Sequence, residues 1–206
     1  MALAELEGAG LAFTDLAVRR GRCPVLRGLR ADLHPGVTAL VGVNGAGKTT
    51  LLTAAAGGLR PRGGQVLING LDPYAYRSRT RALRSVALMP QAARFPGGMT
   101  ATEVVEYLAW TRGADGRTAR TQAREALGQV GLAPRARDKV RSLSGGMVRR
   151  LALAQAVATR PSVLLLDEPS TGLDPRQRRT MVEPALTARW DGAAQQPRAR
   201  GRRRPR

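Results

Sequence analysis

The 206-residue chain is poor in several residue types that build common functional sites. Its one cysteine, Cys23, excludes an internal disulfide and a metal site made of several cysteines. Its one histidine, His34, lies in a His-Pro-Gly segment that is typical of a structural turn. No apolar run approaches the roughly 18–20 residues that span a bilayer. The first seven residues include two glutamates and no basic residue, unlike a secretory signal. These absences predict a cytosolic domain without disulfides.

Acidic residues are also few. The chain has 34 Lys and Arg residues against 15 Asp and Glu, a formal charge of +19, and only Lys48 and Lys139 are lysines. Such a charge indicates an acidic partner: nucleic acid, a phosphate-bearing ligand or a membrane surface. The charge is uneven, however, because ten arginines and only two acidic residues fall between Arg176 and Arg206. Residues 188–206 are therefore predicted to be a disordered, arginine-rich tail.

The order of apolar segments predicts an α/β domain with a mostly parallel central sheet and a small antiparallel β region at its start. The run 163–166 is apolar throughout, as expected for a central parallel strand. The predicted strands lie at 11–18, 25–33, 37–41, 65–69, 85–89 and 163–166, and the predicted helices at 48–56, 101–111, 119–130 and 145–158.

The segment Gly42–Thr49, GVNGAGKT, matches the phosphate-binding P-loop pattern G-x-x-x-x-G-K-[ST]. Its glycines let successive backbone N–H groups face a phosphate, and the helix that follows adds the positive end of its dipole. Lys48 is expected to reach the β- and γ-phosphates, and the Thr49 hydroxyl to bind Mg²⁺. The candidate nucleotide-binding residues are Gly42, Asn44, Gly45, Ala46, Gly47, Lys48, Thr49 and Thr50.

The apolar strand 163–166 ends in Asp167-Glu168, the Walker B pattern. In this arrangement Asp167 is expected to hold Mg²⁺, and Glu168 to orient or deprotonate the attacking water. A third segment, Leu143-Ser144-Gly145-Gly146-Met147, starts a helix. Taken alone, it fits a helix N-cap with two flexible glycines, and its N–H groups could also bind an anion.

These three motifs, in this order, resemble the ATP-binding cassette (ABC) ATPases over residues 6–187. Leu143–Met147 lies where that family has its LSGGQ signature, with Met147 replacing the final glutamine. Gln91 matches the Q-loop glutamine, which contacts Mg²⁺ and the transmembrane partner, and Ser170–Asp174 matches the D-loop. The resemblance implies a P-loop NTPase fold over 1–187, with an inserted helical subdomain at about 92–158.

The resemblance also implies what the chain does and with what. Two such domains pair head to tail as a homodimer or heterodimer, and ATP and Mg²⁺ lie between the P-loop of one and the signature of the other. A separate permease is implied, with the chain held at the inner face of the cell membrane. The implied catalytic residues are Lys48, Gln91 and Glu168, the metal-binding residues Thr49, Gln91 and Asp167, and the further ATP contacts Arg20, Ser144, Gly145, Gly146, Met147 and Asp174. Residues 96–100 and 139–142 resemble bacterial drug-export cassettes.

Two departures from the family pattern affect this interpretation. Arg20 stands where the family usually has an aromatic residue that stacks on adenine, and a guanidinium can also stack on a base. No histidine follows Asp174, although the family ends a further strand in a histidine that contacts the γ-phosphate. The C-terminal end is therefore interpreted as incomplete, through truncation or a frameshift.

The missing histidine motivates an alternative, a truncated or regulatory cassette that binds ATP with little hydrolysis. A second alternative is an ABC ATPase that acts on nucleic acid. The sequence disfavours it, since the chain has one cassette and the roughly 95 residues between Lys48 and Ser144 contain no sustained heptads and no cysteine cluster. No nucleic-acid partner is therefore expected.

Overall fold

The computed structural model describes residues 10–169, and the structural statements below concern that range. Its strands are β1 (Leu11–Arg20), β2 (Cys23–Leu33), β3 (Gly63–Ile68), β4 (Val86–Met89) and β5 (Val163–Leu166). Its α-helices are α1 (Lys48–Ala55), α2 (Arg79–Ser85), α3 (Ala101–Thr111), α4 (Gly116–Gln129) and α5 (Gly145–Val157), with 3-10 turns at Ala133–Arg135 and Val140–Ser142.

The first part of the chain forms an antiparallel sheet of order β2-β1-β3. A two-residue turn with Gly21 at φ 60° joins β1 to β2 and pairs Arg20 with Cys23. The alternating apolar residues of β1 point into a core that includes Phe13, Leu16 and Val18. This arrangement confirms the predicted antiparallel β region, with strands two residues longer than the pattern indicated at 11–18 and 25–33.

Strands β4 and β5 pair in parallel and separate two hydrophobic cores. Val86 and Leu165 belong to the core shared with the antiparallel sheet, α1 and α2. Ala87 and Met89 belong to the core built by α3, α4 and α5. Because successive strand residues point to opposite faces, a strand covered on both faces must be apolar throughout. This explains the continuous apolar run of β5.

Helices α3, α4 and α5 begin at side-chain caps that the sequence supplies. Thr100 and Glu103 form a reciprocal capping box at α3, with the Thr100 amide donating to the Glu103 carboxylate over 2.7 Å. The Asp115 carboxylate accepts the Thr118 amide at α4, which therefore starts at Gly116, before the predicted 119. Ser144 caps α5. Helix α2 has no counterpart in the sequence prediction, and it ends at Ser85, so β4 begins at Val86.

One predicted strand is wrong for the described chain. Residues 37–41 are not a strand, and Val37, Leu40 and Val41 are 65%, 45% and 89% exposed. A run this apolar becomes a central strand only when neighbouring strands supply hydrogen bonds and cover its faces. No strand within residues 10–169 pairs with it. By contrast, the strands predicted at 85–89 and 163–166 pair in parallel as β4 and β5.

Candidate nucleotide-binding site

The P-loop segment turns through two glycines in the left-handed region, Gly45 at φ 84° and Gly47 at φ 93°. A Cβ at Gly47 would lie 2.6 Å from the Val25 side chain, so this position needs glycine for space as well as for conformation. Helix α1 starts directly after it at Lys48. The loop therefore presents its backbone at a helix N-terminus, the arrangement that favours bound phosphate.

The Lys48 ammonium lies across this loop. Its Nζ donates to the carbonyl oxygens of Gly42, at 2.6 Å, and Val43, at 3.0 Å. Thr49 is exposed at the start of α1, whereas Thr50 is buried beneath the helix. Thr49 is thus accessible to a ligand, whereas the predicted nucleotide contact Thr50 is buried in the packing of α1.

The carboxyl ends of β4 and β5 bring three predicted residues together. The Asp167 amide donates to the Met89 carbonyl over 3.0 Å and extends the parallel pairing by one residue. Two residues beyond β4, the side-chain amide of Gln91 donates to the Glu168 carboxylate over 2.9 Å. Glu168 has φ 50°, a left-handed conformation that is rare for a residue other than glycine. Polar side chains thus gather at the edge of the sheet where ligands bind in open α/β folds.

Asp167 and Glu168 differ in environment. Asp167 is 4% exposed, and none of the salt bridges within residues 10–169 involves it. A buried carboxylate requires compensation by a cation or by hydrogen bonds. Glu168 is half-buried and is hydrogen-bonded to Gln91. The buried Asp167 is suited to a metal ion, and the more open Glu168 to contact with a reacting water.

Arg149 of α5 is a site residue that sequence reasoning did not single out. Its guanidinium donates to the backbone carbonyls of Gln91, at 3.3 Å, and Pro169, at 3.4 Å, and to that of Glu168. Through these bonds Arg149 holds the backbone at Gln91 and at Glu168 against α5, the helix that begins at the signature segment. Its place five residues after Ser144 gave no signal of this contact, since the pairing depends on how α5 packs against β4 and β5.

The signature segment lies at the exposed start of α5. The Ser144 hydroxyl accepts the Met147 amide at 3.3 Å, the N-cap predicted from the sequence. Ser144 and Gly145 are exposed, and a Cβ at Gly145 or Gly146 would meet nothing within 4 Å. The segment is therefore accessible to a ligand or partner from outside the chain. Arg20 is exposed at the end of β1, whereas Asp174 and the D-loop lie outside the described residues, as does the predicted 188–206 tail.

The fold and this site define a P-loop nucleotide-binding α/β domain. The ABC transporter family profile matches residues 26–171, and the chain belongs to that family. Two relatives are named as ATP-binding proteins of transport or resistance systems. Lipoprotein-releasing system ATP-binding protein LolD 1 of Rhodopirellula baltica is 38% identical over 77% of this chain and 71% of its own length. Daunorubicin resistance ATP-binding protein DrrA3 of Streptomyces coeruleorubidus is 40% identical over 74% of this chain and 46% of its own length.

Solved structures agree on the fold. The ATP-binding subunit of an ABC transporter superposes with a TM-score of 0.74 at 24% identity, covering 86% of this chain and 73% of that one. A bacterial Atm1-family ABC exporter with ATP bound gives a TM-score of 0.72 at 25% identity, covering 87% of this chain and 32% of that one. The predicted α/β P-loop fold and the resemblance to ABC ATP-binding subunits, drug-resistance types included, are confirmed. The chain is an ATP-binding subunit of the ABC transporter family.

Proposed function

We propose that this chain itself hydrolyses ATP at the carboxyl ends of β4 and β5. In this proposal Glu168 is the base, Gln91 positions it, and Asp167 holds the metal ion. Membership of the ABC family implies ATP binding and hydrolysis. The observation that supports hydrolysis by this particular chain is the Gln91–Glu168 hydrogen bond, which aims the carboxylate at a fixed place beside the buried Asp167. A base held in one orientation by a neighbouring donor is the arrangement that general-base catalysis uses.

Each residue has a distinct proposed role. The P-loop amides and Lys48 bind the phosphates, because the loop glycines and the ammonium lie together at the start of α1. Glu168 orients the attacking water and accepts its proton, while Gln91 holds the Glu168 carboxylate in position. The signature residues Ser144, Gly145, Gly146 and Met147, of which Ser144 and Gly145 are exposed, contact the nucleotide bound to a partner subunit, and Arg20 and Asp174 are further proposed contacts.

The donor set fits a magnesium ion. Mg²⁺ prefers oxygen ligands and is commonly held by one or two protein oxygens together with substrate phosphates. The Thr49 hydroxyl, the Gln91 side-chain oxygen and the buried Asp167 carboxylate are the proposed ligands. Within residues 10–169 no group of three or more His, Cys, Asp and Glu side chains could hold a metal alone, which agrees with an ion shared with phosphate. When bound, the ion neutralises charge on the phosphates.

The proposed partners are a second ATP-binding subunit, paired head to tail, and a separate permease that places the chain at the inner membrane face. Within residues 10–169, no helix has the length and apolar character to cross a bilayer. The relatives named as ATP-binding proteins of transport systems support this assignment.

We propose residues 1–187 as the ATP-binding domain and about 92–158 as its helical subdomain, whose helices share one hydrophobic core with β4.

ATP turnover by the purified full-length chain tests the proposal. Glu168→Gln keeps the size of the side chain and removes the base. Its turnover is therefore the level that the site reaches without Glu168. Glu125→Gln is the matched control, because Glu125 forms an exposed salt bridge with Arg160. We expect wild type and Glu125→Gln to exceed Glu168→Gln by at least about a hundredfold. If the wild-type chain binds ATP but turns it over no faster than Glu168→Gln, the result would instead support the alternative of a truncated or regulatory cassette with little hydrolysis.

A further inference from the structure

A second cationic site lies on the helical part of the chain, on residues that the proposed ATPase site does not use. An open cavity of about 710 Å³ lies between α3, α4 and the 3-10 turn that follows α4. Its size falls in the range of about 300–1,000 Å³ that is typical of small-molecule sites. We name it the basic cavity, after the four arginines in its lining: Arg117, Arg120, Arg124 and Arg137.

The helix repeat explains how three of these arginines come to one side. Arg117, Arg120 and Arg124 follow each other at spacings of three and four along α4, so they share a face of that helix. The opposite face carries Ala119, Ala123 and Ala126, which are buried, and Ala123 and Ala126 belong to the core shared with α3 and α5. Arg137 approaches from the segment beyond the 3-10 turn. The packing of α4 therefore concentrates positive charge at the mouth of one cavity.

Nearby carboxylates leave most of this charge unpaired within residues 10–169, although Asp115 interacts electrostatically with Arg117. Within residues 10–169 no salt bridge or side-chain hydrogen bond engages the guanidinium groups of Arg120, Arg124 and Arg137. Glu106 of α3 is the acidic residue in the lining. The other neighbouring carboxylates are engaged: Asp115 accepts the Thr118 amide at 2.8 Å, Glu125 pairs with Arg160 at 3.0 Å, and Asp138 pairs with Arg135 at 3.1 Å.

We propose that the basic cavity binds a phosphate-bearing ligand. Guanidinium groups present planar pairs of N–H donors that match phosphate oxygens, and several of them around one concavity neutralise a multiply charged anion. The remaining lining includes Leu127, Ala133 and Ala136, which suits the apolar part of a phosphorylated small molecule or of a lipid below its headgroup. The concave shape favours such a ligand over an acidic protein surface.

The test separates this site from the P-loop. Full-length Lys48→Ala, in which the P-loop is disabled, is titrated calorimetrically with inorganic pyrophosphate and mixed with vesicles of phosphatidylglycerol or phosphatidylcholine. The same measurements are made after adding Arg120→Gln and Arg124→Gln together. The matched control adds Arg77→Gln and Arg81→Gln, two exposed arginines outside the cavity, and removes the same charge.

We expect saturable binding that falls at least about tenfold in the Arg120/Arg124 variant and stays unchanged in the Arg77/Arg81 variant. Binding of pyrophosphate would identify a free phosphorylated ligand, and retention by phosphatidylglycerol vesicles alone would identify a lipid headgroup; both support the proposal. Equal losses in the two double variants would overturn it, since they would show a net-charge effect. No binding of either probe, or tighter binding of an acidic peptide of equal charge, would also overturn it.

A second variant keeps the test decisive if the arginine pair disturbs folding. Glu106→Gln removes the carboxylate from the lining and leaves the four arginines in place. A carboxylate repels a phosphate at short range, so this variant should bind pyrophosphate or phosphatidylglycerol a few-fold more tightly. Weaker or unchanged binding in Glu106→Gln would contradict a phosphate in this cavity.

Discussion

The side-chain amide of Gln91 donates a 2.9 Å hydrogen bond to the carboxylate of Glu168, across 77 residues of sequence. Gln91 follows β4 and Glu168 follows β5, and the parallel register that pairs Met89 with Leu166 brings the two ends to one edge. Arg149 holds the backbone of both segments. The geometry of the proposed base thus depends on three separate elements, and each can be perturbed alone.

Replacing Gln91 by Ala should lower ATP turnover more than it lowers ATP affinity. The substitution removes the donor that orients Glu168, and loss of an orienting partner commonly lowers activity roughly tenfold to a hundredfold. Steady-state kinetics give kcat and KM separately. Gln129→Ala, at the exposed end of α4, is the control and should match wild type. An unchanged kcat in Gln91→Ala would contradict the orienting role.

Lys48→Ala should weaken ATP binding. Lys48 lies across the P-loop through its bonds to Gly42 and Val43, and a charge-assisted contact to phosphate is worth roughly a tenfold to hundredfold change in affinity. Equilibrium titration with a fluorescent ATP analogue measures the loss. The chain offers one matched control, since Lys139 is its only other lysine and is exposed. If Lys139→Ala loses as much affinity as Lys48→Ala, the P-loop assignment is wrong.

Arg149→Ala should lower kcat about tenfold with little change in KM, because it releases the carbonyls of Gln91 and Glu168 and touches no proposed phosphate ligand. Arg149→Lys should recover part of the activity, since a lysine keeps the charge but lacks the planar fork that reaches several carbonyls. Arg81→Ala, an exposed arginine of α2, serves as the control. A purely structural role would predict a lower melting temperature without the selective loss of kcat.

Gly47→Ala should destabilise the P-loop more than Gly45→Ala. Both positions have positive φ, which costs a non-glycine residue about 1–3 kcal/mol. Only at Gly47 does the added Cβ also clash, 2.6 Å from Val25 Cγ1, whereas at Gly45 nothing lies within 4 Å. Denaturant unfolding and ATP affinity measure the difference. Adding Val25→Ala to Gly47→Ala should restore part of the stability, and failure to do so would exclude the steric explanation.

The α3 capping box should make stability depend on pH. The Thr100 backbone N–H, which donates to the Glu103 carboxylate, holds the pKa of Glu103 below its usual 4.5. A lowered carboxyl pKa contributes stability above the unfolded-state pKa, and this contribution disappears as the pH falls through the lowered folded-state pKa. Glu103→Gln should therefore be less stable than wild type near neutral pH, with the gap closing under acidic conditions. A gap between Glu103→Gln and wild type that stays the same at acidic pH would contradict a contribution from the Glu103 carboxylate.

The candidate site was largely predictable because it consists of local motifs. The P-loop needs glycines and a lysine at fixed spacing, and the acidic pair follows an apolar strand, so the residues could be named before their geometry was known. Arg149 was not predictable, because its contacts with Gln91 and Glu168 depend on the packing of α5 against two strands. The strand predicted at 37–41 was wrong because strand formation depends on partners distant in sequence, and residues 10–169 supply none for it.

By itself, the sequence named the candidate phosphate- and metal-binding residues, placed the starts of α1, α3 and α5 and predicted that the fold is α/β. Those properties follow from side-chain chemistry, caps and short-range periodicity. Only the tertiary structure decided that Gln91 meets Glu168, that Arg149 bridges their segments and that four arginines surround one cavity beside α4. The physical reason is that parallel pairing and helix packing join residues far apart in the chain, and no local pattern records which of them will meet.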